Sequence, residues 1–377
     1  MRVVILGAGF GGLELTARLS DAVADRVDVT LIDQSDAFVF GYSKIDVLFG
    51  KAELDDVRVR YRDLTKPGVE FRQERIVSID PRAKRVVTEA GTYDADILVV
   101  ALGADLDPAA TPGLVDGGFE FYSPEGARRA NQALAGFGGG DVIIGVLSPA
   151  FKCPPAPSET ALLLHDFLVG RRVRDKSTIR VINPMGSPVP VSPDTSEALL
   201  AAFAERDIEF WGGATVTSLD SATNVASLDD GRTASYDLFL AVPVHVAPRV
   251  VVDAGLIESD GWIAVDTTTF ATKFSDVYAV GDVSSAPVPR AGVFAEGEAA
   301  TVADGLIARL AGGDPPPPYT GAASCYIEFG DDTVARVDVE FLGGAGPTGA
   351  FAPPSVEIAA EKLEFGASRR ARWFGTD

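Results

Sequence analysis

The segment Val3-Val-Ile-Leu-Gly-Ala-Gly-Phe-Gly-Gly12 sets Gly7, Gly9 and Gly12 in a GxGxxG pattern directly behind four apolar residues. The apolar run reads as a buried strand, and Leu13 to Leu19 reads as a helix. Strand, glycine turn and helix together are the context in which this pattern binds a dinucleotide. Gly7 permits the tight turn, Gly9 lets the backbone approach a pyrophosphate, and Gly12 lets helix and strand pack closely. Phe10 and Gly11 lie inside the same loop, at the helix N-terminus, whose free N–H groups and positive dipole end suit phosphate. A second strand, Val27 to Ile32, leads to Asp33 and Gln34. An acidic residue about twenty positions after the glycines is placed to hold a ribose hydroxyl. The sequence therefore predicts an α/β fold built on doubly wound, Rossmann-like units.

A chain of 377 residues predicts two or three domains. The net charge of -21 excludes nucleic acid as a partner, because nothing here neutralises phosphates on a large scale. It fits either an acidic, well-solvated surface or the steering of a basic redox partner such as a cytochrome. No apolar run reaches the roughly 18 residues of a membrane span. The first strand follows Met1 at once with no signal peptide before it, which gives the expectation of a cytoplasmic protein. Two histidines leave little material for a metal centre or a Ser-His-Asp triad, and no metal site is expected. His165 sits in an apolar helix and reads as a packing residue, and His245 follows a buried strand. The two cysteines, Cys153 and Cys325, are far apart and lie in no CxxC; small buried hydrophobes are one reading of them.

Strand and helix are expected to alternate through residues 1–105, which close with the buried run Asp96 to Ala101 and a turn at Gly103. A second Rossmann-like unit is expected over 106–239, with strands at Asp141 to Val146 and Ile179 to Ile182. Its helices run from Ser158 to Leu168 and from an Asp194 N-cap to Arg206, and a hairpin at Asp230-Gly231 ends it. Residues 240–312 then return to the first unit through the strand Asp276 to Val283 and a helix from Ala295 to Leu310. Pro315 to Pro318 make a stiff link to a C-terminal α+β segment, 313–377, with a hairpin at Tyr326 to Phe329 and Val334 to Phe341.

The second unit lacks the glycine loop that a pyridine-nucleotide site needs. After its first strand the chain reads Leu147-Ser-Pro-Ala-Phe-Lys-Cys-Pro-Pro-Ala-Pro-Ser-Glu159. Proline removes both the N–H donors and the close backbone approach. No tight NAD(P)H site is expected.

These residues carry a resemblance. The chain resembles the flavoprotein subunit of flavocytochrome c sulfide dehydrogenase and the related sulfide:quinone oxidoreductases over nearly its whole length. The resemblance rests on Gly7 to Gly12, Lys152 to Glu159, Gly261 to Phe270, Val280 to Val283, Ser324 to Tyr326 and the ending Phe365 to Gly375. It implies a glutathione-reductase-like fold of two dinucleotide domains that binds FAD. Val77, Ala101, Gly103, Gly281 and Asp282 would complete the FAD site, with Asp282 on a ribityl hydroxyl and Val293 and Phe294 near the pyrimidine end. The resemblance further implies that Cys153 and Cys325 form a redox disulfide beside the flavin, attacked by sulfide or a small thiol, with Glu159 moving the proton. The loop Phe38 to Ile45 has no cysteine to tether the flavin, so non-covalent FAD is expected. A third cysteine and a longer C-terminal region, usual in the quinone-reducing relatives, are missing, which leaves the acceptor open between a cytochrome and a quinone. Two other readings stand beside this one: an NADH-type flavin dehydrogenase, and a non-catalytic FAD-binding partner subunit. The oligomeric state, including a homo-oligomer, is left open.

Overall fold

A computed structural model describes residues 1–344 and 346–375. Five parallel strands form the first sheet, in the order Val277–Ala279, Ile97–Val100, Arg2–Leu6, Asp28–Asp33, Val69–Gln73. Its central strands are buried on both faces: Val3, Ile5, Leu6 and Ile97 to Val100 are each fully enclosed. Continuous apolar runs of this kind are what a sheet covered by helices on both sides requires. A second parallel sheet has the order Phe119–Glu120, Leu238–Val242, Gly140–Val146, Ser177–Asn183, Ile208–Gly212. The two units are joined by an antiparallel pair, Asp105–Asp107 with Val244–Val246.

Strict alternation through residue 105 does not hold. A three-stranded antiparallel sheet, Ile76–Asp80, Arg85–Thr88 and Thr92–Asp94, precedes the buried strand Ile97–Val100. The second unit repeats the device with Val216–Asp220, Val225–Leu228 and Thr233–Ser235. The helix expected from an Asp194 cap runs over Pro193–Glu205, because Pro193 supplies a fixed φ at the first helical position and Ser192 takes the cap position. The helix expected from Ala295 begins at Gly292. The C-terminal sheet has a third strand, Thr348–Ser355, beside the expected hairpin. Its Pro353-Pro354 pair masks it in the sequence, yet proline is tolerated on a strand that lies at a sheet edge.

The last helix, Val356–Phe374, returns the chain end to the first unit. Trp373 and Phe374 are buried there. The Trp373 ring lies 5.3 Å from Phe10 and 5.5 Å from Phe38, edge to face. Its indole N–H donates to the buried Glu14 carboxylate at 2.7 Å, and Arg18 and Arg372 pair with the same carboxylate. The helix end thus braces the glycine turn from behind. Trp373→Ala should destabilise the protein by about 3–5 kcal/mol, the cost of an emptied aromatic site. Urea unfolding checks it. Among the described residues no helix is long and apolar enough to cross a membrane.

Candidate functional site

A cavity of about 300 Å³ opens at the carboxyl ends of the first sheet. Gly9, Phe10 and Gly11 reach it from the strand Arg2–Leu6, Ala101 and Gly103 from Ile97–Val100, and Gly281 and Asp282 from Val277–Ala279. This edge of an open parallel sheet is where such folds bind ligands. The local backbone explains the glycines. A Cβ on Gly12 would run into the Gly7 carbonyl, so only glycine lets helix Phe10–Val23 sit this close to the turn. A Cβ on Gly9 would meet nothing within 4 Å; the loop leaves a cradle that a side chain would fill. The first bond of that helix runs from Leu13 N–H to Gly9 O at 2.9 Å, so the N–H groups of Phe10, Gly11 and Gly12 precede the helical ladder. Those donors fit a pyrophosphate. A second helix start, Gly292–Ala311, also carries no side-chain cap and presents Gly292 and Val293 to the cavity. These residues fit an FAD: a phosphate cradle at one end, a helix N-terminus at the other, and Asp282 in the wall between.

Of the expected FAD residues, Gly7, Gly12, Asp33, Gln34, Val77 and Phe294 do not line this cavity. Val77 is on the strand Ile76–Asp80 and is 58% exposed, and Gln34 is exposed at the end of Asp28–Asp33. Phe294 is buried but faces a neighbouring apolar cavity, because one step along the helix from Val293 turns its ring to the other side. Asp33 accepts from Ala8 N–H and Ser35 N–H at 2.8 Å each, which ties the acid to the glycine loop.

Two further segments, Lys152 to Glu159 and the strand Ala323–Gly330, bring the expected sulfur chemistry to the same wall. Cys153, Cys325 and Glu159 all line the cavity. Cys153 stands at φ 53°, a left-handed conformation disfavoured for a residue with a Cβ. It is held there by its N–H to Arg290 O at 2.7 Å and by its carbonyl, which accepts from Ala156 N–H at 2.9 Å. Its thiol is accessible from the cavity. The protein around that cavity nevertheless pushes its pKa far above the ordinary value, chiefly through lost solvation and then through the nearby Glu159 carboxylate. Cys325 lies on the strand Ala323–Gly330; burial and Glu159 push its thiol up to about 12. Neither cysteine is disulfide-bonded. Glu159 is 2% exposed, accepts from Glu328 N–H at 3.0 Å, and is raised by burial to about 7. A carboxyl poised there can both take and give a proton near neutral pH.

The structure adds residues that the sequence did not reveal. Lys44 lines the cavity, donates from Nζ to Tyr122 O at 2.6 Å, and is lowered to about 8 by burial and then by Lys152. It belongs to the loop read only for its missing cysteine; a lysine in an otherwise apolar loop was the available clue. Lys362, from the C-terminal helix, lines the cavity and pairs with Glu328. His245 is buried and neutral, with its pKa lowered to about 3 by burial. Its ring bonds Pro243 O at 2.8 Å and accepts weakly from Lys152 N–H at 3.4 Å, which makes it a support for the Cys153 loop.

Behind the cavity, Gly281 N–H donates to Glu298 at 2.5 Å, and this carboxyl is 1% exposed and raised to about 8 by burial. The ordinary value is 4.5, so the folded state keeps a proton that the unfolded chain has lost. That stability is complete below the unfolded value and is lost as pH rises through the folded one. Between pH 5 and 8 the wild type should therefore lose stability with rising pH, and Glu298→Gln should lose markedly less. Urea midpoints of the two proteins across that range check it.

The model of the pyridine nucleotide-disulphide oxidoreductase family matches residues 1–303. The chain belongs to this family. As a member it is an oxidoreductase that binds FAD. An alternative NAD(P)H-ubiquinone oxidoreductase of Arabidopsis thaliana is 29% identical over 255 residues, 61% of this chain and 47% of that protein, so the match spans about half of that relative. A sulfide-quinone reductase of Aquifex aeolicus is 26% identical over 357 residues, 88% of this chain and 81% of its own. The crystal structure of the sulfide:quinone oxidoreductase of Aquifex aeolicus superposes with a TM-score of 0.87 at 23% identity, over 98% of this chain and 92% of that one; it supports the fold.

Proposed function

We propose that this family member oxidises sulfide at a Cys153–Cys325 redox pair and passes the electrons through FAD to a quinone. One observation carries the reading. Cys153 and Glu159, from one run, and Cys325, from the C-terminal sheet, line the same cavity as Gly9, Gly281 and Asp282. Two thiols are the two-electron-reduced form of a disulfide, and FAD bound in this cavity supplies a two-electron acceptor. Hydrosulfide attacks one sulfur of the closed pair; the S–S bond breaks, leaving a persulfide on one cysteine and a thiolate on the other. Burial disfavours that thiolate, so Lys44, whose positive charge lies near Cys153, offsets part of the cost. Glu159 takes up the protons released as sulfur is oxidised. Tyr42, Tyr326 and Phe365 line one end of the cavity and offer flat apolar surfaces of the kind a quinone ring stacks on.

The name of the Arabidopsis relative favours a second reading, with NAD(P)H as the donor. The second sheet argues against it. Pro154, Pro155 and Pro157 bring no N–H to the start of helix Ala156–Gly170, and Ala156 N–H is spent on Cys153 O. No phosphate cradle forms there. Anaerobic mixing of the yellow protein with sulfide and, separately, with NADH decides between them. Rapid bleaching of the flavin band by sulfide alone is expected; bleaching by NADH alone would overturn the proposal.

A further inference from the structure

Among the described residues three hydroxyls are buried without a hydrogen-bond partner, those of Thr16, Tyr122 and Tyr236. Of the three, Tyr122 alone lines the cofactor cavity. A buried polar group left unpaired is a standing cost to the fold. Where such a group is kept beside reacting atoms, it points to a partner that exists only during the reaction.

The rest of Tyr122 is fully engaged. Its N–H donates to Glu120 at 2.8 Å, and its carbonyl accepts from Lys44 Nζ at 2.6 Å. Its ring meets Phe121 and His245 edge to face, with centroids 5.1 Å and 5.6 Å apart. The next residue, Ser123, caps the helix Pro124–Gly136 and anchors the backbone. The ring cannot swing away in search of another acceptor, so the hydroxyl is a fixed donor of the kind that costs no reorganisation when charge appears. Burial holds its pKa well above the ordinary value of 10, and Cys153 and Glu159 push it further the same way. The hydroxyl therefore keeps its proton, and the negative charges that reach it are those of Cys153 and Glu159.

We infer that the Tyr122 hydroxyl is the hydrogen-bond donor to a thiolate on Cys153 when the cysteine pair is open. The inference rests on the proposed sulfide oxidation. In that step hydrosulfide bonds to the Cys325 sulfur and the S–S bond breaks. The electron pair of that bond rests on Cys153 as the thiolate, and the hydrosulfide proton stays on the Cys325 persulfide. Burial, then Glu159 and Cys325, oppose an anion on Cys153, while Lys44 and the Ala156 N–H favour one. Tyr122 adds a second side-chain donor on that side of the pair. Cys325 instead faces the carboxylates of Glu159 and Asp338. The phenol proton remains on its oxygen throughout, so the hydroxyl lowers the cost of the buried charge without taking part in the proton balance.

Tyr122→Phe removes the hydroxyl and keeps the ring. Because the hydroxyl has no partner at rest, the urea midpoint of the variant should equal or exceed that of the wild type. The rate of sulfide-driven flavin bleaching should fall about tenfold or more, the scale of a hydrogen bond to a charged group. A second measurement needs no sulfide. The FAD-loaded protein is reduced anaerobically with a phosphine and alkylated with iodoacetamide at pH 8, and the Cys153 and Cys325 peptides are followed by mass spectrometry. Alkylation of Cys153 should slow several-fold in Tyr122→Phe, because less thiolate is present, and the initial rate at Cys325 should not change. If the wild type does not bleach with sulfide, the proposed sulfide oxidation fails and the inference falls with it. If the wild type bleaches and the variant keeps its rate, or if Cys153 is alkylated at the wild-type rate in the variant, the inference alone is overturned. A clearly lower urea midpoint would show the hydroxyl already paired. A shifted oxidised flavin spectrum with unchanged alkylation would assign it to the cofactor. Either result would also overturn the inference.

Discussion

Cys153→Ser and Cys325→Ser should each lower the rate of sulfide-driven flavin bleaching by about a thousandfold or more, the scale expected when a covalent step is removed. Both should remain yellow. The cofactor cradle is built from Gly9, Gly281 and the two helix starts, and neither cysteine is needed to form it. Cys153→Ser also keeps the N–H and carbonyl that hold the loop to Arg290 and Ala156. Loss of turnover with FAD retained therefore separates a catalytic pair from a structural one. A partner subunit with an inert cysteine pair would lose stability in these variants and have no sulfide response to lose. Stopped-flow absorbance with sulfide, alongside urea unfolding, distinguishes the two.

The second large effect is a contrast between two neighbouring glycines. Gly9→Val should leave the fold intact and weaken FAD binding by a hundredfold or more. Open space surrounds the Gly9 Cβ position, and the branched side chain would fill the cradle where the pyrophosphate belongs. Gly12→Ala should instead damage the fold. Its Cβ meets the Gly7 carbonyl, a backbone group that cannot swing aside, and would also stand 3.0 Å from Gly7 C. Overpacking of this kind costs typically about 1–3 kcal/mol, and more where backbone must move. Flavin content after purification and urea midpoints check the pair. Gly9→Val should be colourless or pale and stable, and Gly12→Ala unstable with or without added FAD.

The cofactor half of the site was legible because its chemistry is local. A strand, a glycine turn and a helix start are contiguous, and the residues that do the binding are those that shape the turn. The sulfur half was legible only through resemblance. Cys153 and Cys325 belong to different units, and their meeting depends on how the second sheet and the C-terminal sheet close on the first, which no spacing encodes. Lys44 escaped for the same reason: its role depends on the carbonyl of Tyr122 and on burial, both set by tertiary packing. Phe294 was placed near the flavin with Val293 by the resemblance; adjacent residues of a helix face different ways, and its ring lines the neighbouring apolar cavity. The antiparallel insert Ile76–Thr88 with Thr92–Asp94 was missed because short half-exposed strands carry little apolar pattern, whereas the Asp230-Gly231 hairpin of the second insert was read from its turn. The aromatic pair Trp373-Phe374 near the chain's end belongs to the core that backs the glycine turn.

The central claim is that the cysteine pair takes up the sulfur of sulfide and passes its electrons to the flavin, and one measurement addresses it directly. The protein is mixed anaerobically with one equivalent of sulfide, quenched by alkylation at intervals during flavin bleaching, and digested for mass spectrometry. The peptide bearing Cys153 or Cys325 should gain the mass of one sulfur atom in step with the bleaching. Bleaching at full rate with both cysteines free of added sulfur at every interval would contradict the account.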